Sequence, residues 1–296
     1  MEISDKELIE ELKKRFIEKE KSLQELTQLT QELKTVNKKL EESEALKSHF
    51  ISNITNEITN PFASILGLSR SILSVKKEDW KKVISMVALI HSEAFTLDFQ
   101  LKNIFVAAKI EAGEFNPEIL NVDICILVKS LLDSFRVLTK KKRLTINYND
   151  NFCNKHTPPT FKTDPEKLKQ ILSNLMSNAI KFSLDDSHIN VETDMYDNQL
   201  VITVEDFGVG ISEENQKIIF DRFKRIDSGI NSINRGHGLG LSVNKALLDL
   251  LKGKIEIKSN IGEGATFKVF IPESNEDVEG FSTDGNEFLF EADENF

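Results

Sequence analysis

The chain of 296 residues is 40% hydrophobic and 29% charged, with a formal net charge of -10. A chain of this length can bury a sizeable core, and its sequence has no run of about 18 apolar residues that would span a membrane. Nine acidic and no basic side chains lie in residues 273–296, so the net charge mainly describes a tail. We therefore expect a cytoplasmic protein with no membrane span and no nucleic-acid partner.

Residues 1–45 have the composition of a long helix. Between residues 5 and 47 there is no Gly or Pro, and Glu, Lys, Leu and Gln dominate. Apolar residues step by three and four, as in a coiled coil: Leu26, Leu29, Leu33, Val36 and Leu40. This pattern predicts a coiled-coil signalling helix that pairs in a parallel dimer, with a single solvated helix as the alternative.

Residues 46–113 carry two helical patterns, the continuation of this same helix and a second helix, separated by a break near residues 74–79. The first runs through Pro61, which removes one backbone donor and is expected to bend the helix. The second repeats apolar residues from Val83 to Ala108 and ends at Gly113. We expect a dimerisation hairpin of two α-helices, and two copies would form a dimeric four-helix bundle.

Residues 117–272 change to an α/β pattern. Five segments alternate apolar and polar residues as half-buried strands do: 143–148, 188–195, 199–206, 254–259 and 265–271. Three segments have helical periodicity: 124–140, 165–181 and 239–251. We expect an α/β two-layer sandwich, with one sheet and helices over one face.

Two further features concern the tail and the cysteines. The acidic residues 273–296 are predicted to be a disordered tail, with a docking or inhibitory segment as the alternative. Cys125 and Cys153 belong to no metal-like cluster. We interpret them as ordinary buried thiols of a reducing compartment.

Two glycine clusters predict a nucleotide site. Asp206 closes a predicted strand and precedes Gly208 and Gly210. Such glycines let the backbone approach a flat ring, while the carboxylate accepts the exocyclic amine of an adenine. Residues 236–241 read GHGLGL before a predicted helix, and exposed amides at a helix N-terminus suit phosphate oxygens. Taken alone, this cluster has an ordinary loop as the alternative.

A third cluster lies on the predicted helix of residues 165–181. Asn174 and Asn178 stand four residues apart on one helix face, and Lys181 follows about one turn later. Amide oxygens on that face suit a hydrated Mg²⁺ that bridges phosphates, and the lysine can neutralise the phosphate charge. A capping role for either Asn is the alternative.

These clusters, together with residues 220–223, resemble the N, G1, F and G2 boxes of the sensor histidine kinases. That family is a branch of the ATPase superfamily that includes Hsp90, type II topoisomerases and MutL. The resemblance covers residues 44–272 and implies ATP and Mg²⁺ as cofactors, with Asn178 on the metal, Asn174 and Lys181 on the phosphates, and Asp206 on adenine. It implies further nucleotide-site positions at Gly208, Gly210, Phe220, Phe223, Arg225, Gly236, Gly238, Leu239, Gly240 and Thr266.

Asn174 also distinguishes branches of that superfamily. The hydrolytic members resemble one another in carrying, at this position, a Glu that activates water. An amide cannot serve as a general base. The pocket is therefore expected to hold ATP for transfer to a protein side chain, and a hydrolytic relative of the Hsp90 type is disfavoured.

Residues 47–62 resemble the phosphoacceptor box of the same family, with Glu57, Asn60 and Pro61 in register and Asn56 in the place of the acceptor histidine. The amide nitrogen of Asn is not a useful nucleophile, whereas a neutral histidine nitrogen is. Autophosphorylation of this chain is therefore not expected. His49 is a weaker alternative acceptor, because Phe50 follows it instead of a carboxylate.

The segment from Glu57 to Asn60 resembles a phosphatase motif, in which the amide positions water against the aspartyl phosphate of a response-regulator receiver domain. The resemblance thus implies a two-component protein that acts on a histidine of a partner subunit or as a receiver phosphatase, as a homodimer or as a heterodimer with a related kinase. The alternatives are a non-enzymatic pseudokinase scaffold, a mere polar role for Asn60, and an ordinary kinase with an engineered His-to-Asn change at Asn56.

Overall fold

The computed structural model of the chain describes residues 5–76, 79–114, 116–155, 158–221, 238–275 and 281–282. The chain divides into two compact units, Met1–Ser52 and Asn53–Phe296. The helices are α1 Asp5–Ser74, α2 Trp80–Ala112, α3 Ile124–Ser134, α4 Arg136–Lys141, α5 Asn151–Lys155, α6 Pro165–Phe182, α7 Glu213–Gln216 and α8 Gly240–Leu250. The strands are β1 Leu120–Asp123, β2 Thr145–Asp150, β3 Thr160–Thr163, β4 His188–Tyr196, β5 Gln199–Asp206, β6 Lys254–Asn260, β7 Gly264–Pro272 and β8 Phe281–Ser282.

The two N-terminal helices form where the apolar periodicity predicts them. Helix α1 contains Pro61, which is buried, and continues through it to Ser74. Helix α2 ends at Gly113, whose φ of 70° is left-handed and whose N–H bonds to the carbonyl of Ile110 at 3.2 Å. This is the glycine-terminated helix end expected from the sequence. In the part of the chain that is described, no helix is long and apolar enough to cross a membrane.

The α/β unit is built on a five-stranded sheet of order β2-β4-β5-β7-β6. Strands β2 and β4 are parallel, and the other neighbours are antiparallel. Helices α6 and α8 contact each other and lie against this sheet, and α3 packs against α6. The sheet and its helices therefore form the two layers that the alternating pattern predicts.

The core lies between these two layers. Helix α6 buries Leu168, Ile171, Leu172 and Leu175 at no more than 1% exposure. The sheet contributes a matching set of buried side chains: Ile189, Val191, Leu200, Ile202, Val204 and Val269. Burying each such side chain contributes about 1.5–3 kcal/mol, so this packing holds α6 rigidly over the sheet.

A second, small sheet of order β3-β1-β8 was not predicted. Strand β1 pairs with β3 in antiparallel fashion, from Leu120 opposite Thr163 to Asp123 opposite Thr160. The residues Phe281–Ser282 of the predicted disordered tail pair in parallel with β1. These two-residue and four-residue strands are too short to show an alternating pattern in the sequence.

Two expectations of the sequence are corrected. The helix predicted for residues 124–140 is divided at Phe135 into α3 and α4. Cys125 and Cys153 form a disulfide with their Cα atoms 5.9 Å apart, so the interpretation as free buried thiols is wrong. The cysteines are 28 residues apart in the chain, and the contact of α3 with α5 brings them together.

Candidate nucleotide site

Helix α6 contacts the two other predicted clusters: its C-terminal end contacts the loop that follows Asp206, and Asn174 in its second half contacts the start of α8. Ser183, which caps the C-terminus of α6, forms a β-bridge with Gly208. The N–H of Val209 donates to the carbonyl of Phe182 at 3.3 Å. The three predicted clusters that fall on described residues are therefore brought together in space.

Asp206 is the last residue of β5 and is only 5% exposed. Its carboxylate Oδ1 accepts a hydrogen bond of 3.1 Å from the N–H of Gly208. Burial raises the pKa of Asp206 to about 6, although hydrogen bonds from the backbone of Gly208 and Ala265 oppose the shift. A buried acceptor with spare lone pairs is the group that an exocyclic amine requires.

The glycines around Asp206 permit close backbone contacts. A Cβ on Gly208 would lie 2.0 Å from the carbonyl oxygen of Phe182. A Cβ on Gly210, whose φ is +68°, would lie 1.8 Å from the carbonyl oxygen of Asn260. Side chains at these positions would displace the loop, so it adopts this path only with glycine.

A third glycine of this kind was missed by the sequence analysis. A Cβ on Gly264 would lie 1.9 Å from the carbonyl oxygen of Asp206 itself. Gly264 begins β7, which pairs with β5. Its sequence signal was a glycine two residues after Gly262, between two predicted strands, where glycines are common in turns.

Asn174 is 1% exposed and joins α6 to α8. Its Nδ2 donates to Oδ1 of Asn244 at 2.7 Å and to the carbonyl of Gly240 at 3.2 Å. Asn244 in turn donates through Nδ2 to the carbonyl of Ile171 at 3.0 Å, and its role was missed. This amide pair fixes the first turn of α8 against α6. Oδ1 of Asn174 is buried and has no hydrogen-bond partner among the described residues.

Asn178 and Lys181 lie further along α6 and are both half-buried. The ammonium of Lys181 is 4.9 Å from the ring centroid of Phe182. Since the helix repeats every 3.6 residues, Asn174, Asn178 and Lys181 follow one another along one face. Asn178 is the more accessible of the two amides.

The remaining predicted site residues divide into described and undescribed positions. Leu239 is buried and its carbonyl accepts from the N–H of Val243 at 2.8 Å in the first turn of α8. Gly238 and Gly240 flank it, Thr266 is half-buried on β7, and Phe220 is half-buried after α7. Three predicted positions lie outside the described residues: Phe223, Arg225 and Gly236.

The acceptor-like segment lies on α1. Asn56 and Asn60 are both exposed, and their spacing of four residues puts them on one face of the helix. The backbone of Glu57 is helical, and its side chain lies outside the described structure. The two amides are thus presented together, ahead of Pro61.

The fold and the glycine loops define a class of ATP-binding domain. Residues 163–275 match the family of histidine kinase-, DNA gyrase B-, and HSP90-like ATPases. The solved Acinetobacter baumannii histidine kinase AdeS shares the fold over 74% of this chain and 98% of its own, with a TM-score of 0.50 at 21% identity. Full-length ShkA, solved in complex with AMPPNP, shares it over 78% of this chain and 46% of its own, with a TM-score of 0.53 at 22% identity.

Among proteins with this kind of ATPase domain, the related sequences are sensor proteins and histidine kinases. Sensor protein EvgS of Escherichia coli K12 is 31% identical over 231 residues, 76% of this chain and 19% of that protein. Sensor histidine kinase GacS of Pseudomonas protegens is 30% identical over 257 residues, 84% of this chain and 27% of that protein. Circadian input-output histidine kinase CikA of Synechococcus elongatus is 28% identical over 250 residues, 82% of this chain and 32% of that protein.

The chain therefore belongs to the sensor histidine kinase family. It spans only 19–32% of the length of these three curated relatives.

Proposed function

We propose that the chain binds ATP with Mg²⁺ and works in two-component signal transduction. The observation that carries this proposal is the buried carboxylate of Asp206 in a loop that contacts the end of α6, while Asn174 of the same helix binds the start of α8. Membership in a family of ATPases supports it. When bound, ATP supplies the γ-phosphoryl group for transfer.

The donor set fits the adenine of ATP. Asp206 accepts the exocyclic amine, and Gly208 and Gly210 let the loop beside it pack closely on the carbonyl oxygens of Phe182 and Asn260. Lys181 and the amides at the start of α8 hold the phosphates. The phosphate contact expected of Asn174 remains a prediction, because in the described structure its Nδ2 bonds to Asn244 and Gly240 instead.

The metal role falls to Asn178. Among the described residues, no group of three or more His, Cys, Asp or Glu side chains could hold a metal ion. Mg²⁺ at a nucleotide keeps several waters and takes most of its remaining ligands from phosphates. One half-buried amide on α6 is therefore sufficient for the metal that we propose.

The helix α1 supplies the second half of the proposed mechanism. Asn56 stands at the acceptor position and cannot take the phosphoryl group, so we propose that this chain acts on a histidine of a partner subunit or on a receiver domain. Asn60, exposed on the same face, would position the water that hydrolyses the aspartyl phosphate of the receiver. Positioning water requires no histidine.

Pairing of the chain is supported by apolar side chains that a single copy leaves exposed. In α1, Leu26, Leu29 and Leu33 are each more than 60% exposed. Further along the chain, Phe62, Ile84 and Phe105 are each more than 50% exposed. Contiguous apolar stripes of this kind mark association surfaces, so we propose a homodimer or a heterodimer with a related kinase.

The first experiment tests ATP binding and the acceptor position together. Titration calorimetry with Mg²⁺-ATP should show binding by the wild-type chain, and incubation with γ-labelled ATP should leave it unlabelled. The variant Asn56→His should acquire label that is stable in alkali and labile in acid. Asn56→Gln is the matched control and should stay unlabelled. A wild-type chain that does not bind ATP would refute the proposed nucleotide site.

The second experiment tests the phosphatase role. A phosphorylated receiver domain should lose phosphate faster with the wild-type chain than alone, and Asn60→Ala should abolish the acceleration. If neither protein accelerates the loss while both bind ATP, the pseudokinase scaffold is the better description. The presence of Asn56 at the acceptor position favours the pseudokinase scaffold, because a scaffold needs no phosphoacceptor residue.

A further inference from the structure

We infer that Lys142 is a positioning residue of the nucleotide site, which holds the end of α6 so that residues 206–210 keep the carboxylate of Asp206 facing the adenine. The inference rests on the proposed ATP site and extends it to a residue that no motif contains. Lys142 follows α4 and is 39 residues distant in sequence from its nearest partner on α6.

The first observation is the pair of hydrogen bonds made by the half-buried Lys142. Its Nζ donates to the carbonyl of Lys181 at 2.6 Å and to the carbonyl of Ser183 at 3.0 Å. The last carbonyls of a helix have no partner within the helix, and a cation there also interacts favourably with the helix dipole. One ammonium therefore satisfies two acceptors at the end of α6.

The second observation concerns the carbonyl of Phe182, which lies between those of Lys181 and Ser183 in the chain. The carbonyl oxygen of Phe182 accepts from the N–H of Val209, and it is the atom that a Cβ on Gly208 would meet at 2.0 Å. Because Lys142 binds the carbonyls on both sides of Phe182, the oxygen between them cannot swing away from the loop. Close contact with the loop thus depends on the ammonium.

The position of the loop at residues 206–210 in turn determines the orientation of the Asp206 carboxylate. Gly208, which approaches the oxygen of Phe182, donates its N–H to Oδ1 of Asp206 at 3.1 Å. A shift of the end of α6 would move Gly208 and with it the orientation of that carboxylate. Lys142 therefore acts on adenine through the end of α6, Gly208 and Asp206, and needs no contact with the nucleotide.

Lys142 is itself anchored from the opposite side. Its carbonyl accepts from the N–H of Asp186 at 3.0 Å, and the carboxylate of Asp186 forms an ion pair with Arg143. The turn that follows α6 is thus tied to the backbone of Lys142, while its ammonium is tied to α6. The backbone and the side chain of Lys142 therefore both bind the segment around the end of α6.

The test compares Lys142→Met with Lys142→Arg and with the control Lys141→Met, at an adjacent exposed position. Dissociation constants for ATP, ADP and adenosine are measured at a temperature at which all variants are folded. Lys142→Met should weaken all three ligands by a similar factor, roughly tenfold, because it disturbs the adenine end of the site. Lys142→Arg should recover most of the affinity, and Lys141→Met should bind as the wild type does.

A second readout follows the loop directly and does not need the nucleotide. Hydrogen exchange at the amide of Val209 should accelerate in Lys142→Met, while the amide of Val243 in α8 should exchange at the wild-type rate. If Lys142→Met does not fold, Lys142→Gln, which keeps one donor, is used for the same measurement. Failure of the wild type to bind ATP would refute the proposed function and leave this exchange test intact.

Three results would overturn the inference. Equal affinities of Lys142→Met and the wild type for all three ligands would remove the positioning role. A loss that grows from adenosine to ADP to ATP would instead make Lys142 a phosphate ligand. Unchanged exchange at Val209 would likewise contradict the inference.

Discussion

Replacing Asp206 with Asn removes one ionisable group from the nucleotide site and should change both stability and binding. The pKa of Asp206 is raised from 3.8 to about 6, chiefly by burial. A carboxyl whose pKa is raised on folding stabilises the fold when it is protonated. That contribution is complete below pH 3.8 and is lost as the pH rises through about 6.

The size of the effect follows from the two pKa values. At pH 5 the folded state holds this proton and the unfolded state mostly does not, whereas at pH 8 neither does. The titration of Asp206 should therefore lower the free energy of unfolding by about 1.4 kcal/mol between pH 5 and pH 8. Asp206→Asn should lack this decrease, so the variant gains stability relative to the wild type as the pH rises.

The affinity for ATP should have the opposite pH dependence and should increase as the pH rises. At pH 5 only about a tenth of the carboxyl groups are ionised, so ATP should bind roughly tenfold more weakly than at pH 8 if the amine requires the carboxylate. The Asn variant binds weakly at both values and corrects for the titration of the phosphates of ATP. Urea unfolding and calorimetric titration at pH 5, 6, 7 and 8 measure both effects. Parallel pH profiles of the two proteins, in stability or in binding, would refute the role of Asp206.

Three further predictions concern packing in the fold. Gly208→Ala should weaken ATP binding at least tenfold and destabilise the fold by about 1–3 kcal/mol, because its Cβ would meet a backbone oxygen. The control Gly67→Ala on α1, with open space around it, should stabilise the fold by about 0.5–1 kcal/mol. Similar effects of the two variants in urea unfolding would contradict this contrast. Asn244→Leu should lower the free energy of unfolding by about 1–3 kcal/mol by leaving Nδ2 of Asn174 short of an acceptor, and additivity with Asn174→Leu would argue against the pair. Cys153→Ser should destabilise the fold by about 2–4 kcal/mol. Dithiothreitol should lower the thermal unfolding midpoint of the wild type but not that of the variant. A wild type whose midpoint is also insensitive to dithiothreitol would contradict the disulfide.

Much of the α/β unit could be predicted because its signals are local. Strand β5 has the predicted bounds of residues 199–206, and α6 extends one residue beyond the predicted 165–181. A half-buried strand alternates with a period of two and an amphipathic helix repeats every 3.6 residues, so both patterns are complete within one segment. The short strands β1 and β3 give no such pattern, and they were missed.

The sequence by itself determined which chemistry the chain carries: the carboxylate Asp206, the amide Asn178, the glycines that follow β5, and an amide at Asn56 where a nucleophile would be needed. Residue identities and spacings state these directly. The tertiary structure decided how the groups are held. The amide pair Asn174–Asn244 joins residues 70 apart, the disulfide joins residues 28 apart, and Lys142 reaches α6 across 39 residues. The raised pKa of Asp206 belongs with these contacts, because burial is a property of the packed sheet and helices and leaves no periodic trace along the chain.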